Sequence, residues 1–418
     1  MSEIMTCPIS ETVVLKSFID PSFKTMRVSV NMLLPIDKAT AAKYALLPAL
    51  VSRATREYPD YTALGRRLAE LYGASLGSGV QKIGEYQALG LSVGGIASRY
   101  ALDGEDMFQK LTGLLFSVLF DPLKEEDGLF PLDGFTQEKR QQLEQKDAEF
   151  SDKMIYAHQR CHELLFEGRP AGLDRLGSRE EIEALTREEL KGAWEELLEN
   201  ARFEIFALGD CRPDVEAIRE RFSKVGHAYK LGQVAYEPPE LRRVTERQPV
   251  SQSKLAMAFR AKVPKEERLL FQLMSAVLGE PTSSKLFQNV REKQGLCYYC
   301  DSTFSWVNNA LFIESGVETE NLERTEEAIL AQLTALQRGE VTKEELEYAK
   351  LYMRNSLRSV RDTLHRVEGW YLGRAFDQPD LSPERAADLL MEYTVEDVVE
   401  AANRLEPAVI YKLKGGGE

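Results

Sequence analysis

Apolar positions recur along this chain with two periods, and the order in which the periods alternate predicts its architecture. From Thr25 to Leu34 (TMRVSVNMLL) nearly every second residue is apolar, which is the signature of a strand with one face in a core. Lys38 to Arg56 then reads as a largely apolar helix around Tyr44, Leu46, Leu47, Leu50 and Val51, ended by the turn Tyr58-Pro59-Asp60. Thr62 stands where it would cap a helix from Leu64 to Leu71, and Gly73 stops that helix. Gly84 to Gly94 alternates again. Met107, Leu111, Leu114, Leu115 and Val118 stripe one face of a helix closed by Asp121-Pro122. Helices are expected from Thr136 to Phe166 and from Thr186 to Asn200, with a loop at Gly168 to Gly177 between them, and Ala201 to Leu208 reads as a strand.

A polar connector with Pro238-Pro239 and several arginines follows, and beyond it the same order begins again. Ser253 to Ala261 is a strand, Lys265 to Leu278 an apolar helix, and Leu286 opens another helix. A strand is expected around Ala310 to Gly316 and a long helix from Asn321 to Gln337. Thr342 opens a helical region through Gly369, Thr394 opens another, and Val409 to Lys414 is a last strand. The chain is therefore an internal duplication with a period near half its length. Residue-level echoes agree. Leu64-x-x-x-Leu68-x-Glu70-x-x-Gly73 matches Leu286-x-x-x-Val290-x-Glu292-x-x-Gly295. Phe135-Thr136-x-Glu138 matches Val341-Thr342-x-Glu344, and Leu185-Thr186-x-Glu188 matches Tyr393-Thr394-x-Glu396, each threonine standing as a helix cap with an acidic residue in the first turn. The predicted class is α+β. It has two homologous, pseudo-symmetric domains, each a mainly antiparallel sheet packed against a layer of helices, at 1–229 and 249–418 with a linker at 230–248.

The densest stretch of the second half is LFQNVREKQGLCYY, Leu286 to Tyr299. Leu286, Phe287 and Val290 have helical spacing, Gly295 falls at a helix C-cap, and the residues from Asp301 to Val317 alternate as a strand. Arg291 is thus expected on a helix end, with Tyr298 and Tyr299 at a strand start, all leaning toward one point.

Composition narrows the function. A formal net charge of -14 disfavours a nucleic-acid partner or an anionic membrane, because the summed field repels a phosphate backbone. No apolar run approaches bilayer length and the N-terminus lacks a signal pattern, so a cytoplasmic protein is expected. Five scattered cysteines suit a reducing compartment; Cys297 and Cys300 form a C-x-x-C without a second pair or nearby histidine to complete a tetrahedral site. His158 and His162, four apart in HQRCHEL, face one way on a helix and could share a metal, but Cys161 lies about 100° round from His162 and no third ligand is evident.

The duplicated order, the block REKQGLCY from Arg291 to Tyr298 and the block LGRRLAELYGASLGSGVQKIGEY resemble the inverzincin metallopeptidases, the family of pitrilysin, insulysin and mitochondrial processing peptidase, over nearly the whole chain. Within it the chain is most similar to a bacterial non-peptidase branch associated with modification of elongation factor P. In active relatives the first long helix carries H-x-x-E-H, whose two imidazoles hold zinc while the glutamate activates water. Here the matching helix reads AAKYALLPALVS, Ala41 to Ser52, with neither histidine nor acid. The third zinc ligand of the family, a glutamate, falls near Glu144. The resemblance thus implies a chain that does not hydrolyse peptides alone and has no cofactor or metal of its own.

It also implies that Arg291 and Tyr298 match the C-terminal Arg and Tyr that orient a substrate carbonyl at the zinc of active members, a role suited to a guanidinium and a phenol. Two readings of function follow from it. In the first, the chain is the non-metal subunit of a heterodimeric processing peptidase: it shapes a chamber with a zinc-bearing sister subunit, binds extended peptide along a sheet edge, and supplies Arg291 and Tyr298. In the second, it is a monomeric or homodimeric scaffold that recruits a protein substrate or modifying enzyme in elongation factor P modification and has no part in proteolysis.

Overall fold

The computed structural model describes residues 3–226 and 240–416; residues 230–239 of the expected linker, and His227, lie outside them. Two compact units divide the chain. One contains residues 1–146, 173–232 and 363–380, the other residues 147–172, 233–362 and 381–418.

The first unit has a six-stranded sheet of β1 (Ile4–Pro8), β2 (Val13–Ile19), β3 (Thr25–Pro35), β4 (Ser75–Ile83), β5 (Tyr86–Ile96) and β6 (Arg202–Gly209), in the order β1-β2-β6-β3-β5-β4. The second has β7 (Arg242–Gln248), β8 (Ser253–Arg260), β9 (Cys297–Ser305), β10 (Ala310–Val317) and β11 (Glu406–Gly415), in the order β7-β11-β8-β10-β9. Strand for strand the orders coincide, with β1 as an added edge. Even the single parallel pair recurs, β2 with β6 in one sheet and β7 with β11 in the other, among otherwise antiparallel neighbours. The expected duplication is present at the level of hydrogen-bonded topology.

Alternation in β3 explains how its sheet is sandwiched. Met26, Val28, Val30, Met32 and Leu34 project to one side and join the buried cluster made with helices Ala41–Val51, Met107–Phe120 and Ala193–Asn200. Arg27, Ser29 and Asn31 project to the other side, where helix Leu364–Gly373, from the C-terminal half of the sequence, packs on β3 and β6. The second sheet repeats the arrangement: helix Lys153–Leu165, from the N-terminal half, packs on β8 and β11, burying Ala157 and Cys161 against Ala256, Ala258, Val409 and Tyr411. β8 and β11 hold the ranks of β3 and β6. Each sheet is thus covered by a helix of the same rank taken from the opposite half of the sequence.

The glycine stops echo each other in atomic detail. Gly73 (φ 72) and Gly295 (φ 61) both adopt the left-handed conformation that their positions demand. The Gly73 N–H donates to Ala69 O and the Ala74 N–H to Leu68 O; the Gly295 N–H donates to Arg291 O and the Leu296 N–H to Val290 O, at identical offsets.

Several local expectations are corrected. Asp60, not Thr62, caps the second helix, which spans Tyr61–Glu70; the extended Asp60 precedes the first turn and its carboxylate accepts from Ala63 N at 2.8 Å, whereas Thr62 lies inside the helix. Thr136 is interior to helix Leu132–Ser151 and its hydroxyl donates back to Leu132 O at 2.8 Å, whereas Thr186, Thr342 and Thr394 do accept from the backbone three residues on. Gly192, at φ 73, breaks the expected helix from Thr186, so that only Ala193–Asn200 is regular. The run from Asp301 to Val317 is two strands, β9 and β10, joined by a turn in which Asn309 takes φ 49. Residues 242–248 form β7, and β4 escaped notice because Gly77, Gly79 and two serines blur its alternation.

Candidate functional site

Helix Ala41–Val51, which the resemblance sets against the zinc motif, is packed as core. Ala41, Ala42, Tyr44, Ala45, Leu46, Leu47, Leu50 and Val51 are all buried, and Pro48 stands within the helix. Its N-terminal turn is clamped by the loop after Gly172. Gln87 Nε2 donates to both Ala41 O (3.0 Å) and Arg175 O (2.6 Å), Gln142 Nε2 donates to Leu176 O (3.1 Å), and Lys146 pairs with Asp174 at 2.9 Å. Gly177 then passes so close that an added Cβ would stand 2.7 Å from Ala42 Cβ. The helix carries no His, Cys, Asp or Glu and so offers none of the usual zinc donors. Glu144 faces solvent and pairs with Arg140 at 3.4 Å. Among the described residues no group of three or more His, Cys, Asp or Glu could hold a metal ion.

His158 and His162 do share a helix face, with ring centroids 6.3 Å apart, but each is engaged elsewhere. His158 Nδ1 bonds the Glu314 carboxylate, and His162 stacks on Phe312 and packs beside Phe166. Cys161 points into the apolar layer on the sheet, where burial pushes its thiol far above the ordinary range. The cluster anchors a helix to a sheet.

The Arg291 block is unlike its counterpart in the first unit. Leu286–Glu292 is a π-helix where Tyr61–Glu70 is α-helical, and such geometry recurs at functional sites. Leu286 and Val290 are buried, and the Arg291 guanidinium lies over the Phe287 ring, 4.6 Å from its centroid, with Nε 3.7 Å from Glu292.

β9 follows, and its register against β10 slips: Cys297 faces Val317 and Tyr299 faces Gly316, which leaves Tyr298 as the extra residue of a β-bulge. Tyr298 is consequently 57% exposed and donates its hydroxyl to the Glu318 carboxylate, a bond that raises the phenol's pKa. Tyr299 lies instead against Gly316, whose added Cβ would meet its Cε1 at 2.4 Å. The tyrosines do not converge as the sequence suggests: neighbours on a strand project to opposite sides, and Tyr298 is exposed while Tyr299 is half-buried. Glu318, just past the end of β10, is the partner that sequence reasoning missed, since no local spacing links it to Tyr298.

One further feature is an open sheet edge. The outermost strands β7 and β9 are guarded, β7 by Arg242, Arg243, Glu246 and Arg247 and β9 by its bulge and Asp301. β4 (SLGSGVQKI) has a regular register, no charge before Lys82, and mostly exposed or half-exposed residues. Its outer row of backbone groups is a template for another extended strand.

Comparison with known proteins agrees with this geometry. Residues 184–353 match the family described as Peptidase M16 inactive domain. The chain is 26% identical over 400 residues to a "Probable inactive metalloprotease YmfF" of Bacillus subtilis (strain 168), covering 94% of this chain and 93% of that one. A conserved protein from Enterococcus faecalis V583 superimposes with a TM-score of 0.91 at 25% identity, covering 100% of both chains. A peptidase M16 inactive domain from Pseudomonas fluorescens does so with a TM-score of 0.79 at 19% identity, over 99% of this chain and 98% of that one. No helix among the described residues is long and apolar enough to cross a membrane.

Proposed function

We propose that the chain, similar to inactive M16 metallopeptidase homologues and without a zinc ligand on helix Ala41–Val51, works as the non-metal subunit of a two-chain processing peptidase. Its partner is a zinc-bearing sister subunit of the same family, with which it shapes a common peptide chamber. The observation that carries peptide binding is the unguarded edge of β4, which suits strand addition: main-chain hydrogen bonds supply affinity for any extended peptide, and alternate side chains supply selectivity. Arg291 and Tyr298 serve as carbonyl-orienting donors in the shared site. For Tyr298 this requires release from Glu318, so substrate exchanges one acceptor for another.

The test is co-expression with a zinc-bearing relative from the same source, followed by size analysis and peptide cleavage. A stable one-to-one complex that cleaves peptides, with activity cut about 100-fold by Arg291→Ala or Tyr298→Phe, is the expected result. Unchanged activity in both variants refutes their role. Hydrogen exchange over residues 75–83 reports strand addition separately, because a bound strand slows amides that exchange freely at an open edge. A co-purifying partner that is not a peptidase, with no cleavage, would instead point to the recruiting scaffold.

A further inference from the structure

The Cys297-x-x-Cys300 pair has a geometry that spacing alone does not predict. Along a regular strand, residues three apart point to opposite faces. The bulge in β9 changes this: Cys297 faces Val317 and Cys300 faces Ser315, two β10 residues of one face, so both thiols turn to the same side. Each side chain acts on the other's proton affinity, as neighbours do, while the Ser315 hydroxyl beside them donates to Tyr299 O at 2.8 Å. Cys297 is half-buried, while Cys300 is 1% exposed. The neighbouring Cys300 side chain, assisted by Ser315 and the Arg291 charge, brings the Cys297 thiol down to about 7 against the opposing effect of burial, and Cys300 is pushed up in turn. One accessible sulfur is thus paired with one sheltered sulfur.

We propose that Cys297 is a modification site for hydroperoxides, with Cys300 as its resolving thiol. The Cys297 thiolate attacks the peroxide O–O bond: an S–O bond forms, the O–O bond breaks, sulfur is oxidised to sulfenic acid, and the peroxide is reduced to water or an alcohol after taking up a proton. The Cys300 sulfur then attacks the sulfenic sulfur. The S–S bond forms, the S–O bond breaks, and hydroxide leaves as water with the Cys300 proton.

Val317 and Ser315, which the two cysteines face, are two apart on β10, a spacing of about 6.7 Å and at the long limit of what a disulfide spans. Closing the bond therefore draws β9 together across the bulge that presents Tyr298, and a low-molecular-weight thiol restores the open form. This inference stands on the thiol geometry and is independent of the partner proposed above.

The experiment uses the full-length chain, hydrogen peroxide as the probe, and peptide mapping by mass spectrometry. Iodoacetamide alkylation of Cys297 is expected to have its pH midpoint near 7, below the value of about 8.5 for an ordinary thiol. Equimolar peroxide is expected to remove two hydrogens from the peptide holding both cysteines while leaving Cys7, the other half-buried cysteine, unmodified. Cys300→Ser should stop at a dimedone-reactive sulfenic acid, and Cys297→Ser should give neither product. An ordinary alkylation midpoint in the wild-type chain overturns the reactive site without recourse to any variant. A wild-type sulfenic acid that never closes to the disulfide overturns the resolving role.

Discussion

The Ser29 hydroxyl donates to the Glu368 carboxylate at 2.6 Å across 339 positions of sequence. The same carboxylate accepts from Arg27 Nε at 2.5 Å and Asn31 Nδ2 at 3.0 Å, so one acid on helix Leu364–Gly373 satisfies three polar side chains on the face of β3 away from the main core. Beside them Lys16 pairs with Glu204 at 3.1 Å, both almost wholly buried.

Removing that acid strands its donors. Glu368→Ala is expected to cost about 2 kcal/mol, because the half-buried Arg27 guanidinium loses its counter-charge and two neutral donors lose their acceptor. Glu368→Gln keeps an acceptor oxygen and should cost roughly half as much. Urea denaturation measures both, and equal midpoints for wild type and Glu368→Ala would show that the helix is held by its apolar contacts instead.

Gly177 and Gly168 form a matched pair for backbone and packing effects. Both have positive φ, 75° and 76°, but an added Cβ at Gly177 meets Ala42 Cβ at 2.7 Å and its backbone at 3.0 Å, while at Gly168 it meets nothing within 4 Å. Gly168→Ala should therefore cost about 1 kcal/mol from the left-handed conformation alone. Gly177→Ala adds a clash with the motif helix and should cost about 3 kcal/mol. Similar thermal midpoints for the two variants would mean that the loop moves aside freely.

Glu280, after helix Arg268–Gly279, has its carboxyl pushed up to about 7 by burial, partly offset by a hydrogen bond from Ser275. Its folded value exceeds the unfolded one, so the folded state holds the extra proton and stability from this group falls as pH rises from about 4.5 to about 7. Glu280→Gln should be near neutral at pH 5 and stabilising by roughly 2 kcal/mol at pH 8. Denaturation at the two pH values checks this, and an equal effect at both would remove the titration from the account.

The purified chain alone should contain no stoichiometric zinc, and chelation should leave its melting temperature unchanged, because apolar side chains fill the motif helix and the His158–His162 pair is occupied by Glu314 and Phe312. Metal analysis decides it. Stoichiometric zinc would make HQRCHEL a real site.

Local physics made much of this protein legible before any coordinates. Met107–Phe120 has the bounds its stripe predicts, Gly73 and Gly295 stop their helices, and an apolar Ala41–Val51 helix carries no ligand for zinc. These features depend on side-chain period, on one residue's permitted φ, or on functional groups that are simply not there, all of which a window of about ten residues contains. The duplication was also legible, because two copies repeat the same local signals in the same order.

Long-range pairings lay beyond the reach of local signals. That helices Lys153–Leu165 and Leu364–Gly373 each cover the sheet of the other half, that Glu368 meets Arg27, Ser29 and Asn31, and that Tyr298 meets Glu318 are pairings whose strength lies in burial and desolvation, which no local window encodes. The bulge in β9 belongs to the same class. It arises from the register against β10, and it brings Cys297 to the side of Cys300.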